Sequence, residues 1–339
     1  MEGSYIGIIG ETTRQYLRRF PTAPTLQIAK ILKEEHPLLY TDVEQARATV
    51  RYYRGAHGKQ NRKDLADAEF VRSTEEAMEC KYNPFSLPDS VRDNWSPVAL
   101  PIKAGRGLIL ADPHIPYHDV EAVTTALQWA QREGYTDFVV LNGDTSDFFM
   151  LSVFDKDPEA RKFVDELDDT NAYLDSLEKA LPGALIILKD GNHDWRYTSY
   201  LRRRAPALLG TEKYVREATL KLKERGVIEV PHDVPIKVGK LNILHGHELH
   251  GTSTVVNPAR GAYLKSMECV LVAHHHRTSE HSETSLSGRL DTSWSVGCLC
   301  QLHPEYARLN KWNHGFAGIE VDGDDFNIEN KRIVKGMVR

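Results

Sequence analysis

The chain is short of everything that would tie it to a disulfide scaffold or a bilayer. Among 339 residues there are only four cysteines, Cys80, Cys269, Cys298 and Cys300, and no CxxC pair. That excludes a disulfide framework and argues against a zinc ribbon. No apolar run approaches the ~20 residues that a membrane helix needs. The opening MEGSYIGIIGETTRQ lacks a basic n-region and a long apolar stretch, so no secretory leader is expected. The cytosol is the expected compartment, with no membrane partner. Internal repeats and low-complexity tracts are missing as well. What remains is an ordinary soluble composition, 41% hydrophobic and 27% charged, at a length for one large domain or two of common size.

Two features are present in excess: 15 histidines, and an uneven charge. Residues 1–65 hold 11 Lys or Arg and 7 Asp or Glu, a balance of +4, so residues 66–339 carry −9 of the chain's −5. A basic head on an acidic body suggests parts with different partners. We read residues 1–80 as a helical head and 81–105 as a proline-rich linker around Pro84, Pro88, Pro97 and Pro101. Trp95, Phe85 and Leu100 are candidates to pin that linker. Residues 106–339 form the body. In the head, Thr25 is the expected cap of one helix, and Thr41 or Asp42 of a second that runs from Val43 to Tyr53. On this second helix Arg47, Arg51 and Arg54 follow at i, i+4 and i+7, ahead of the basic stretch GAHGKQNRK. A helix-turn-helix reader of DNA or RNA fits this pattern. A merely solvated basic face fits it too.

The body alternates strand and helix. RGLILAD, DFVVLNGD and ALIILKDGNHD are apolar runs separated by helical patterns at 118–135 and 160–181. That is βαβαβ, hence a parallel sheet with right-handed crossovers. Short strands VIEV, IKVG, LNILHG and CVLVAHHH follow, and the tail alternates again, which suggests a second, antiparallel or mixed sheet.

Each body strand runs into polar residues. The first meets Asp112 and His114, the second Asp144 with Asp147 beyond it, and the third Asn192 and His193. Two later strands meet His245 with His247, and His274 with His276. Open α/β sheets bind ligands at the carboxyl ends of their strands. Two divalent ions ~3.5–4 Å apart clamp a phosphate, and their repulsion calls for a bridging carboxylate such as Asp144. Asp112 and His114 are expected on one face because the strand period is 2, and likewise His274 and His276. His275 alternates away. Nitrogen and oxygen ligands without thiolate suit Mn, with Fe, Zn, Ni or Co as alternatives. A lone DxH or GD arises by chance, and HHH alone could be a solvated triplet. Five such signatures in order after five strands are another matter.

This ordered series, Asp112-x-His114, Gly143-Asp144-x-x-Asp147, Gly191-Asn192-His193-Asp194, His245-Gly246-His247 and His274-x-His276, resembles the calcineurin-like metallophosphoesterase superfamily over about residues 106–322. The resemblance implies a four-layer α/β/β/α sandwich, preceded here by the small helical domain. It implies one metal on Asp112, His114, Asp144 and His276, and a second on Asp144, Asn192, His245 and His274. His193 would act as general acid, oriented by Asp147, while a metal-activated hydroxide attacks phosphorus. The chain departs from the family pattern at Ala273, where glycine is usual, and at Trp294-Ser295-Val296-Gly297-Cys298 in place of the closing turn.

The protein phosphatase branch lacks the final HxH pair, so its presence tilts the expectation toward a phosphodiesterase or nuclease. Arg196, just after GNHD, is a candidate phosphate contact, and His247 a candidate contact for substrate or a neighbour of a ligand. A small-nucleotide phosphodiesterase or phosphomonoesterase, with the head used for assembly, is the alternative. A non-catalytic nucleic-acid-binding protein on the same scaffold is a second.

Overall fold

The computed structural model describes residues 5–54, 85, 87–88, 95–156, 161–251 and 256–339. The chain divides into two compact units, Met1–Asp93 and Asn94–Arg339.

In the first unit three helices, α1 (Tyr5–Arg19), α2 (Thr25–Glu35) and α3 (Val43–Tyr53), pack around Leu17, Ile28, Leu32, Tyr40 and Val50. Helix α1 was not anticipated from the sequence. Asp42 caps α3 by accepting the Gln45 N–H at 2.7 Å. Thr25, by contrast, opens α2 rather than capping it, since Pro24 holds the cap position. Arg54 also departs from expectation. Its guanidinium donates to Thr25 Oγ1 and the Ala23 carbonyl at 3.0 and 2.9 Å, tying the end of α3 to the turn before α2. The stretch GAHGKQNRK and part of the expected linker, Pro84 included, lie outside the described residues.

The linker expectation needs correcting at its far end. Strand β1 (Val98–Ala99) pairs in parallel with β6 (Ile236–Val238), and Leu100 enters the core, because this stretch supplies an apolar edge the second sheet needs. The Trp95 indole N–H donates to the Asp233 carbonyl at 3.2 Å.

Among the described residues the second unit holds two sheets. In one, β2 (Ala104–Leu110), β3 (Phe138–Asn142), β4 (Leu185–Lys189) and β5 (Ile228–Val230) run parallel. Helices α4 (Val120–Glu133) and α5 (Phe163–Ala180) make the crossovers. The tail hairpin, β11 (Gly315–Asp322) and β12 (Asp325–Val334), was expected in the second sheet. It joins the first instead, with β11 antiparallel to β2 along an edge that would otherwise be open. The other sheet has the order β1-β6-β7-β8-β10-β9, with β7 (Leu241–Ile243), β8 (Val270–Val272), β9 (Ser279–Thr284) and β10 (Leu290–Ser295). It is mixed.

The layers follow from which faces are apolar. Ile109, Val140 and Ile187 of the first sheet meet Ile236, Ile243 and Leu271 of the second. On its other face the first sheet packs Leu108, Val139 and Leu188 against Trp129, Leu174 and Leu177 of α4 and α5. Helix α8 (Pro258–Ser266), after two short helices between β4 and β5, covers the second sheet through Ala262 against Val270 and Val272. The result is α/β/β/α, with the carboxyl ends of β2, β3, β4, β7 and β8 supplying one cluster of side chains.

Candidate metal centre

The strands stop short of the residues they were expected to orient. Strand β2 ends at Leu110 and β8 at Val272. Asp112, His114, Asp144, His274 and His276 all adopt left-handed backbone, with φ of 52°, 50°, 50°, 63° and 55°. So the pleat is not what brings Asp112 beside His114, or His274 beside His276; tight turns do. Each such turn costs ~1–3 kcal/mol and persists only where its surroundings over-determine it. Here they do. His114 N–H donates to the Asp144 carbonyl at 3.0 Å, and His274 N–H to Asp112 Oδ2 at 3.1 Å. The buried Asp194 carboxylate accepts from the N–H groups of Thr145, Ser146 and Gly191, stapling the third turn to the second. Glycine is required at two points: a Cβ on Gly143 would lie 2.1 Å from His245 Nδ1, and one on Gly191 2.1 Å from Asp144 Oδ1.

The turns aim acceptor atoms at one another. His114 Nδ1 donates to Asp147 Oδ2 at 3.1 Å, and His245 Nδ1 to the Asn142 carbonyl at 2.8 Å. In the neutral rings each Nε2 then carries a lone pair. Those lone pairs converge on carboxylates: His245 Nε2 lies 3.2 Å from Asp144 Oδ2, and His276 Nε2 3.3 Å from Asp112 Oδ1. His114 Nε2 and His276 Nε2 face each other at 3.3 Å. Asp112 Oδ1, His245 Nε2 and Asn192 Oδ1 are buried without a hydrogen-bond partner. Burial of so many facing acceptors is unfavourable unless cations lie between them. The donor set therefore fits divalent metal, and the ligand atoms of Asp112, His114 and Asp144, and those of Asp144, His245 and His274, lie within 4.8 Å of one another.

The ionisation equilibria carry the same message. Burial opposes charge on His245 and His276, yet Asp144 and Asp112 push both up to about 10. Burial also works against ionised Asp112 and Asp144, but the facing imidazoles hold both below the usual carboxylate range. Positive charge is what this cluster lacks.

Beside it sits a second group. Asp147 is buried, and its Oδ2 accepts from both His114 Nδ1 and His193 Nδ1, each at 3.1 Å. Arg196 donates to Asp147 Oδ1 and O at 3.0 and 2.8 Å, and through Nη2 to His193 Nε2 at 3.1 Å. A guanidinium cannot accept, so Nε2 is the acceptor in that contact. His193 is also held through its backbone N–H, which donates to Asp144 Oδ1 at 2.8 Å.

The calcineurin-like phosphoesterase family model matches residues 106–296. The chain belongs to that family. It is accordingly a hydrolase of phosphoester bonds, and divalent metal ions are implied. The Gene 54 protein of Mycobacterium phage L5 is 25% identical over 244 residues, 68% of this chain and 94% of that protein. The Gene 54 protein of Mycobacterium phage D29 is 24% identical over 243 residues, with the same coverage. Among solved structures, vacuolar protein sorting 29 from Cryptosporidium parvum aligns at 14% identity and a TM-score of 0.37, covering 70% of this chain and 96% of that one. Wild-type Vps29 of Entamoeba histolytica, complexed with Zn+2, gives 11% and 0.37, covering 69% and 96%.

Within this phosphoesterase, Asp112, His114, Asp144, His193, His245, His274 and His276 come together with Asp147 and Arg196, and Asn192 lies in the turn between Gly191 and His193. His247 and His275 flank His274, with ring centroids 6.2 and 5.3 Å from it. His247 stacks on His232, its Nδ1 3.4 Å from Glu248 Oε2. On the head, Arg47 pairs with Glu44 at 3.1 Å. Sequence reasoning missed several supports. The second partner of Asp147 left no trace in the spacing. Cys300, 3.8 Å from His276 Nδ1, was dismissed with the other cysteines. Arg216, buried against Asp190, Glu229 and Asp194, was not singled out. Lys189 and Glu248 did leave a signal: a lysine closing the apolar run LIILK, and a glutamate three residues after His245.

Proposed function

We propose that the chain is a two-metal phosphodiesterase of nucleic acids, whose basic head grips the polynucleotide. The observation that supports a nucleotide-bearing substrate is an aromatic wall beside His276. The Trp312 ring lies 4.2 Å from the His276 ring, and Tyr306, 75% exposed, lies 6.3 Å from Trp312. A nucleotide has a base, and base–aromatic stacking contributes ~1–3 kcal/mol.

In this reading Asp112, His114, Asp144 and His276 hold one cation, and Asp144, Asn192, His245 and His274 the other. Mn²⁺ is the first choice, with Fe, Zn, Ni and Co compatible. Bound metal supplies Lewis-acid polarisation of the phosphoryl group and a deprotonated water as nucleophile. The side chains do the rest. His193 keeps its Nδ1–H on Asp147 and delivers a proton from Nε2 to the leaving oxygen. Arg196 must first leave Nε2, and a phosphoryl oxygen is the stronger acceptor for its guanidinium. Substrate binding thus frees Nε2 to take up a proton from solvent, and the resulting imidazolium is the acid that protonates the leaving oxygen. Arg47 and Arg51 contact backbone phosphates; the exposed pair of Arg47 with Glu44 is worth only ~0–1 kcal/mol and yields readily.

The test is incubation with Mn²⁺ and a panel: bis-p-nitrophenyl phosphate, p-nitrophenyl phosphate, and labelled single- and double-stranded DNA and RNA, with Asp144→Asn as control. Diester or polynucleotide cleavage that disappears in the control is expected. Cleavage of the monoester alone would refute the diester reading and leave the head an assembly domain.

A further inference from the structure

Lys189 is the last residue of β4, at the end of an apolar strand, and it is fully buried. A lysine is almost never found there unless paired. Its ammonium is saturated: Nζ donates to the carbonyls of Asp190, Pro231 and His232 at 3.2, 3.0 and 2.8 Å, and lies 3.0 Å from Glu248 Oε1. Glu248 in turn accepts the N–H of His245 through Oε1 at 3.2 Å and that of Gly246 through Oε2 at 2.6 Å. Strand β7 stops at Ile243, so His245 stands beyond the short strand, ahead of the turn at Gly246, where φ is +123°. The carboxylate holds that turn from outside. The lysine holds the carboxylate, from the strand that leads directly into Gly191 and Asn192.

We propose that the Lys189–Glu248 pair is a positioning device for one half of the metal centre, locking the turn that presents His245 to the turn that presents Asn192. The inference rests on the ligand division given under Proposed function. It is one-sided for a physical reason. The supports seen on the other half are different groups: Asp147 on His114, with Cys300 and Trp312 on His276. Neither Lys189 nor Glu248 is a ligand. They act through the backbone of His245 and through the end of β4.

Glu248→Gln keeps the shape but puts an amide donor where an acceptor is needed, either against a backbone N–H or against Lys189. Lys189→Met removes the ammonium and leaves Glu248 buried without its counter-ion. The full chain, stripped with a chelator, is titrated with Mn²⁺ by calorimetry, and the electron paramagnetic resonance spectrum is followed, with Tm measured in parallel. The wild-type chain takes up two equivalents and gives a spin-coupled spectrum. Each variant is expected to bind one equivalent as the wild type does and the other ~10–100-fold more weakly, the usual effect of losing a partner behind a metal ligand. At one equivalent of Mn²⁺ the signal is then that of an isolated ion. Should either variant fail to fold, Lys189→Arg, which keeps the charge but displaces the donors, carries the same one-sided expectation.

Two equivalents bound at wild-type affinity by folded variants would overturn the role of the pair. So would equal weakening of both equivalents in step with Tm, which marks a merely structural contact. A wild-type chain that binds a single equivalent would overturn the ligand division itself, a distinct failure.

Discussion

Asp147 serves two imidazoles at once, and replacing it by asparagine separates its roles from simple packing. Its Oδ2 accepts from His114 and His193, while Oδ1 accepts from Arg196. Asparagine has one acceptor oxygen. If that oxygen faces the imidazoles, the amide donor opposes Arg196; if it faces Arg196, both imidazoles lose their acceptor. Hydrogen bonds to a charged group contribute ~1.5–3 kcal/mol each. Losing one to two of them at His193 and Arg196 costs ~3 kcal/mol of orientation, which is ~10²-fold in rate. Release of His114 adds a weaker metal affinity, by ~10–100-fold. The assay is kcat of Asp147→Asn at saturating Mn²⁺ on two diesters, one losing an alkoxide and one a nitrophenolate. In the proposed mechanism the alkoxide takes its proton from His193, so its hydrolysis should fall ~10²-fold, and that of the nitrophenyl ester much less. Equal losses on both esters, or an alkoxide rate within a few-fold of wild type, would refute the reasoning.

Other expectations follow from the same contacts. His193→Asn should slow turnover ~10²–10⁴-fold with metal stoichiometry unchanged; loss of metal in calorimetry would make His193 a ligand instead. Gly191→Ala drives a methyl group into Asp144 Oδ1, so metal uptake should collapse, and a variant that binds metal normally would show that the turn gives way. Burial pushes Glu166 up to about 8 from 4.5, although the Phe148 N–H donates to it. Its stabilising contribution is therefore full below pH 4.5 and lost as pH rises through 8, by at most ~5 kcal/mol. Urea unfolding of Glu166→Gln should lack that loss, and parallel pH profiles for the two chains would reject it. Arg47→Ala with Arg51→Ala should weaken polynucleotide binding and reduce its salt dependence, by about one in slope per phosphate contact, while sparing a small diester; unchanged affinity would rule the head out as the grip.

Much of this protein is legible without coordinates because its chemistry is local to strand ends. Apolar runs such as DFVVLN and LNIL mark buried strands, and the polar residues that follow them are forced to one edge by parallel pairing. Hence the candidate ligands, the βαβαβ half and the order of the series come from the chain alone. The tertiary structure decided what depends on contacts between distant segments. It turned five candidate ligands left-handed where alternation had been expected, since the strands end first and hydrogen bonds between neighbouring turns sustain the strain. The closing hairpin went to the free edge of β2, a choice of partner that no periodicity encodes. Arg54 left the basic face for the turn at Ala23, and Asp147 gained His114, 33 residues before it in the chain. Lys189 found Glu248 across 59 positions of sequence. Residue type and spacing specify what each side chain is able to do; which groups share a buried volume, and so must neutralise one another, is a property of the packed chain.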